Sequence, residues 1–187
     1  MITNENVLTD EFIIRDVIAG NNGAFVQLVN RYKRKIFIMA ARFAQDSDDL
    51  DDICQDIFIK VYENLDKFRH DAPFEHWISR IAIRTCYDAL RKRRRERGNV
   101  PLDEIHYQIA AESGEDFMAA EHARTLLEKG MAELKPAERL VITLLELEEK
   151  SVKEVAQLAG WSETNVKVRA FRARQKLKRF LEKQNER

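Results

Sequence analysis

Apolar residues recur at intervals of three and four along nearly the whole chain, and that period admits helices and little else. Leu50, Ile53, Cys54, Ile57, Phe58, Val61 and Leu65 form one such series, and Val166, Ala170, Ala173, Leu177 and Leu181 form another. No stretch alternates apolar and polar residues as a half-buried strand does. With only 6 Gly and 3 Pro in 187 residues, long helices with short loops are expected. The period predicts helices near 10–19, 22–44, 48–66, 73–95, 116–133, 136–147, 151–159 and 162–183. Thr9, Asp48 and Ser162 are the expected N-caps, and Pro136 suits the first turn of its helix.

The pattern fails between Glu96 and Phe117. RGNVPLDEIHYQIAAESGED contains Gly98, Pro101, Gly114 and scattered acids. The segment reads as a linker, so the chain is expected to be all-α, with two small helical domains. They span 1–97 and 117–187, joined by 98–116. A single bundle with one long loop is the alternative, and loops of that length are uncommon inside compact domains. An apolar fraction of 44%, with 10 Phe and 2 Trp, suffices for cores and argues against disorder.

No uninterrupted apolar run approaches the roughly 18 residues of a membrane span. MITNENVLTDEF lacks the basic start and apolar centre of a signal peptide. A soluble, cytoplasmic chain without membrane insertion is expected. Cys54 and Cys86 are far apart, with no second Cys or His at ligand spacing. Each reads as a small buried residue, and no metal or cofactor is expected.

Charge is segregated, although 32 basic and 32 acidic residues cancel overall. Residues 46–66 carry Asp46, Asp48, Asp49, Asp51, Asp52, Asp56, Glu63 and Asp66 against Lys60 alone. Residues 150–187 hold eleven bases and four acids. Separate surfaces for separate partners follow from such blocks.

The most specific local pattern is SVKEVAQLAGWSETNVKVRAFRARQKLKRF. A short helix bearing Val152, Val155, Ala156 and Leu158 meets a turn at Ala159-Gly160-Trp161, with Gly160 suited to positive φ. Ser162 then starts a second helix. Val166, Ala170, Ala173, Leu177 and Leu181 fall on its core side. Thr164, Val168, Phe171, Arg172, Gln175 and Arg179 point away, flanked by Lys167, Arg174 and Lys178. A helix of this composition fits a major groove at its N-terminal half and phosphates at its basic end. The plainer reading is a solvated amphipathic helix with snorkelling bases.

DSDDLDDICQDIFIKVYENLDKF presents the opposite surface. Away from its apolar face lie Asp48, Asp52, Gln55, Asp56 and Glu63, with Ile59 among them. Paired carboxylates raise metal binding or acid–base catalysis, but no His accompanies them. A solvated face is a second reading. An apolar residue ringed by acids fits a protein-docking surface better.

A third helix follows FRHDAPFEHW and ends in the run Arg91, Lys92, Arg93, Arg94, Arg95 and Arg97, broken by Glu96. Ile78, Ala82, Cys86, Ala89 and Leu90 cluster on one face. Trp77, Arg80, Ile81, Arg84, Tyr87, Asp88 and Arg91 lie towards another. Bases and rings on one surface suit unstacked nucleotides. Phe68, Arg69, His70, Asp71 and Phe74 sit just before this helix, placed to hold a flipped base. The alternative is that Phe74 and Trp77 are ordinary core residues.

These three stretches, in this order and spacing, resemble bacterial sigma factors of the extracytoplasmic-function (ECF) type, from about Asp10 to Leu181. The resemblance implies a non-enzymatic subunit that brings RNA polymerase core to promoters, with no catalytic residues of its own. It implies that the acidic helix, with Asp48, Asp49, Asp52, Gln55, Asp56, Ile59 and Glu63, docks on the β′ clamp helices. Loop 68–76 and helix 77–95 would recognise and melt the −10 element, through Phe68, Arg69, His70, Asp71, Phe74, Trp77, Arg80, Arg84, Tyr87, Asp88 and Arg91. The helix-turn-helix would read the −35 element beside the β flap, through Ser162, Thr164, Asn165, Lys167, Val168, Arg169, Phe171, Arg172, Arg174, Gln175 and Arg179. The linker would run towards the polymerase cleft, and an anti-sigma factor is an implied partner.

The chain departs from the family pattern in places. His70 stands where members often have Gly, and Pro73 where small polar residues are usual. Val168 replaces a hydroxyl in Asn165-Val166-Lys167-Val168-Arg169, and Phe171 lies where His is frequent. A duplex-binding regulator that never joins polymerase is the competing reading. A third is an adaptor whose basic run binds RNA or anionic lipid.

Overall fold

The computed structural model describes residues 9–96 and 115–185, and helices are the regular elements among them. They are α1 (Asp10–Ile18), α2 (Phe25–Ala41), α3 (Ser47–Glu63), α4 (Phe74–Glu96), α5 (Glu115–Ala132), α6 (Pro136–Ile142), α7 (Val152–Ala159) and α8 (Glu163–Asn185). The residues gather into two compact units, Met1–Cys86 and Tyr87–Arg187, divided within α4. The expected linker lies outside the described residues as far as Glu115, where α5 begins.

The first unit is built from α1, α2, α3 and the start of α4. Its core follows the three-and-four spacing: Ile13, Ile14 and Val17 from α1; Leu28, Tyr32, Ile36 and Ala40 from α2; Leu50, Ile53, Ile57 and Val61 from α3. Full burial of each aliphatic side chain is worth about 1.5–3 kcal/mol. Polar links set how the helices meet. The Tyr32 hydroxyl donates to Asp10, which also pairs with Arg31. Burial first, and then the Asp10 hydrogen bond and charge, push the Tyr32 phenol well above its ordinary pKa. Lys60 of α3 donates to Thr85 of α4 at 3.3 Å.

Aromatic rings close this unit where α4 starts. Phe74 meets Tyr32 edge-on at 5.5 Å and Phe68 at 5.3 Å, and stacks with Trp77 at 5.4 Å. Phe68 and Phe74 are buried and Trp77 is half-buried. α4 begins at Phe74, so 74–76 form its first turn and are not part of a loop reaching 76. The cause is Pro73, whose carbonyl accepts from the N–H groups of His76 and Trp77.

The second unit is arranged around α8, against which α5, α6 and α7 pack. Val166, Ala170 and Ala173 are buried on α8. Pro136 opens α6 as expected. Past Ile142 the chain widens into a π-helical turn, Thr143–Leu147, where one longer α-helix was expected.

Three details correct the sequence reading. Asp46, not Asp48, caps α3: its side chain accepts from the Asp49 N–H at 2.8 Å, while Asp48 lies in the first turn. Thr9 occupies the N-cap position of α1, but its side chain makes no capping bond. Leu181 is 41% exposed and leaves the core stripe of α8. Phe180, half-buried, takes the next core position instead, because a helix of 3.6 residues per turn drifts off a fixed spacing. It lies against Gly130 of α5, where an added Cβ would sit 3.1 Å from both Leu177 and Phe180.

Replacing the true cap of α3 is expected to cost more than replacing its neighbour. Asp46→Ala should lower stability by about 1 kcal/mol, measured by urea unfolding of the full chain. Asp48→Ala should cost less than half as much, since it removes only a charge near the helix N-terminus. Equal losses would return the cap to Asp48.

Candidate functional site

On α3 the apolar stripe is turned inward, which leaves the acids outward. Asp48, Asp52, Gln55, Asp56 and Glu63 are exposed, and Ile59 among them is 46% exposed. Asp49 differs: it is half-buried, and its carboxylate accepts from the Gln45 N–H at 2.7 Å. Local structure therefore occupies Asp49, while the other carboxylates face water. Tyr62, one turn beyond Ile59, is also exposed and meets Phe25 of α2 edge-on at 5.1 Å. It enlarges the apolar centre of this face. Sequence pattern alone did not single it out, because its partner is on another helix. Among the described residues no group of three or more His, Cys, Asp or Glu gathers as a metal site requires. Cys86 is buried and Cys54 half-buried. Burial, and after it Asp51, push the Cys54 thiol up, so it is a poor nucleophile at neutral pH.

The segment before α4 hangs on the aromatic cluster. Phe68 and Phe74 are buried, so they form its floor and not its surface. Arg69, His70 and Asp71 are exposed above them. His70 has φ of +58°, the left-handed region that favours glycine. That backbone position explains a preference for Gly there. His70 is held by its ring, 4.5 Å from that of Phe68. A cleft of about 340 Å³ opens beside it, lined by Glu11, Ile14, Arg15, Ile18 and His70. The α1 residues of this cleft carry no sequence motif and are far from His70 along the chain.

α4 then presents Arg80, Arg84, Asp88 and Arg91 in the open, with Trp77 and Tyr87 half-buried on the same side. Arg91 lies over the Tyr87 ring at 5.7 Å. The opposite side buries Ile78, Ala82, Ile83, Cys86 and Leu90. Arg97, the last base of the run, lies outside the described residues.

The helix-turn-helix forms as the sequence implies. Ser151 and Glu154 make reciprocal capping bonds at the start of α7. Gly160 ends it with φ of +72°, and the Trp161 N–H donates to the Ala156 carbonyl at 2.9 Å. The Ser162 hydroxyl accepts from the Asn165 N–H at 3.2 Å and caps α8. Thr164, Asn165, Lys167, Val168, Phe171, Arg172, Gln175 and Arg179 are exposed.

The structure sorts six of the bases of α8 into two groups. Arg169 lies 4.4 Å over the Trp161 ring and donates to Asn165. Arg174 donates to Glu146 at 2.6 Å, and Lys176 to Glu138 at 2.7 Å. These three brace the fold. Among the described residues, Lys167, Arg172 and Arg179 have no ion-pair partner and are open to a ligand.

Comparison with known proteins also finds two parts, the first running past Cys86 to Glu96. Residues 28–96 match sigma-70 region 2, and residues 124–177 match sigma-70 region 4. The ECF RNA polymerase sigma-E factor of Escherichia coli K12 is 32% identical over 176 residues, covering 90% of this chain and 92% of that protein. CnrH, solved with the cytosolic domain of CnrY, is 30% identical with a TM-score of 0.59, covering 92% of this chain and 97% of that one. The sigma factor RpoE of Bartonella quintana, solved with the anti-sigma factor NepR, has a TM-score of 0.60, covers 84% of this chain and 96% of its own, and at 22% identity shares the fold.

The Glu138–Lys176 pair ties α6 to α8 and gives a pH signature. Burial, the largest influence, raises the Glu138 pKa, but the Lys176 hydrogen bond, the Lys135 N–H and both lysine charges together bring it below the ordinary value. A lowered folded pKa stabilises the protein above the unfolded carboxylate value and ceases to do so as pH falls through the folded value. Glu138→Gln should therefore cost about 1–3 kcal/mol at neutral pH. Its melting temperature should fall less steeply than the parent's below about pH 4.3, measured by calorimetry. Parallel curves would contradict the assignment.

Proposed function

This chain belongs to the ECF sigma factors, which direct promoter-specific transcription initiation, and on that premise we propose how its helices divide the work. The outer face of α3 docks on the β′ clamp helices of RNA polymerase core. Asp48, Asp52, Gln55, Asp56 and Glu63 supply the charge, and Ile59 with Tyr62 supplies the apolar anchor. The segment 68–73 and the open side of α4 engage the −10 element. Arg69, His70 and Asp71 meet an extruded base, while Trp77, Arg80, Arg84, Tyr87 and Arg91 hold the opened strand. α8 reads the −35 element beside the β flap.

The observation that carries this reading is the sorting of charge by helix face. The open side of α3 is acidic around Ile59 and Tyr62, and the open sides of α4 and α8 are basic. Lys167, Arg172 and Arg179 are free to meet phosphates and base edges. Strand opening then draws on binding energy: contacts to extruded bases offset unstacking, which costs a few kcal/mol per step. Catalysis stays with the polymerase.

In this scheme 1–97 acts as region 2, 117–187 as region 4, and 98–116 passes towards the polymerase cleft. The protein works in the cytoplasm; no helix among the described residues is long and apolar enough to cross a membrane. An anti-sigma factor is the natural regulator, since one structural neighbour was solved with such a protein.

Two substitutions separate the two ends of the chain. Asp56→Arg should weaken binding to purified core about tenfold or more, while leaving −35 selection by bound polymerase unchanged. Arg172→Ala should do the reverse: core affinity holds, and discrimination at one −35 base pair falls by about 1–3 kcal/mol. Fluorescence anisotropy with labelled chain measures the first, and competition between −35 duplexes measures the second. Normal core affinity for Asp56→Arg would remove the docking face from α3.

A further inference from the structure

The outward stripe of α8 is not uniformly polar. Val168 is 42% exposed and Phe171 is 63% exposed. They lie three residues apart, so they neighbour each other on one face. Thr164 precedes them by a turn, and Arg172 and Gln175 follow. The helix does not need them for its core, because Val166, Ala170 and Ala173 are buried on the other side. Both sit in the N-terminal half of α8, the half that a helix-turn-helix inserts in the major groove.

Major-groove edges offer one apolar group, the C5-methyl of thymine; the rest are hydrogen-bond donors and acceptors. Valine and phenylalanine cannot partner an amino or carbonyl group. Pressed against cytosine N4, they would strip its water and give nothing back. Against a thymine methyl they bury apolar surface on both sides.

We propose that Val168 and Phe171 form a methyl-reading edge that selects a thymine in the −35 element. The inference rests on α8 being the −35 reader and adds which base its apolar pair demands. Arg172 lies beside Phe171 and among the described residues has no ion-pair partner, so its fork remains for a guanine. The two side-chain types together read a guanine and a thymine close to each other in the element.

Deoxyuridine tests this directly, because it differs from thymidine by the methyl alone. The full chain, bound to purified polymerase core, first selects from duplexes carrying a randomised −35 segment. The enriched duplex is then remade with each thymine replaced in turn by deoxyuridine. At one position the replacement should lower affinity about fourfold, the worth of one buried methyl. Val168→Ser and Phe171→Ala should each shrink that penalty, while selection elsewhere in the element persists. The proposal is overturned if enriched duplexes tolerate deoxyuridine everywhere, or if both variants keep the full penalty. In either case the exposed pair serves some other contact, such as a protein. Should the pool show no enrichment at all, the reading of α8 itself fails, which is a different result.

Discussion

Phe74 is the residue on which the first unit turns. Its ring touches Tyr32 of α2, Phe68 ahead of the loop and Trp77 of its own helix. Each contact removes apolar surface from water, and edge-on or stacked pairing adds about 0.5–1.5 kcal/mol per pair. The result is positional: α4 starts at a fixed place, and the short segment from Arg69 to Pro73 is pinned at both ends. Arg69, His70 and Asp71 can then stand outward on a rigid base. Such a floor spares the segment an ordering cost on binding, which for a mobile loop is about 1–2 kcal/mol per residue.

The second unit solves the same problem with smaller residues. Val166, Ala170 and Ala173 bring α8 close to its neighbours, and Gly130 allows α5 to approach Leu177 and Phe180. Peripheral ion pairs from Arg174 and Lys176 orient α8 further. The Arg174–Glu146 pair is exposed and worth about 1 kcal/mol or less, whereas Glu138 of the Lys176 pair is buried. Their larger effect is to separate held cations from open ones. Arg169, Arg174 and Lys176 are held by the protein, while among the described residues Lys167, Arg172 and Arg179 have no ion-pair partner, which suits the DNA contact proposed for them.

Much of this was legible in the sequence because the apolar period is regular. All the expected helices form close to their expected places, and Gly160 and Ser162 take their expected roles at the turn. What escaped was set by tertiary contacts or by one-residue differences. A cap at Asp46 and one at Asp48 look alike in so acidic a stretch. Phe180 and Leu181 are equally apolar, and only helix drift and the position of α5 decide between them. The widened turn at Thr143–Leu147 has no Gly or Pro to announce it. At the candidate sites the sequence named residues but not orientations. Phe68 and Phe74 are a buried floor, Asp49 is taken by Gln45, and Arg174 is paired with Glu146, a residue 28 positions away. The cleft residues of α1 and the exposed Tyr62 were missed because their neighbours come from other elements.

A sigma factor confers on polymerase a choice that the core enzyme lacks. The most direct measurement is transcription by purified core polymerase on genomic fragments, with and without this chain, followed by mapping of start sites. The account predicts new starts that appear only with the chain and share one −35 and −10 pair upstream. Starts unchanged by the chain, despite tight duplex binding by the chain alone, would contradict it and favour a regulator that never joins the polymerase.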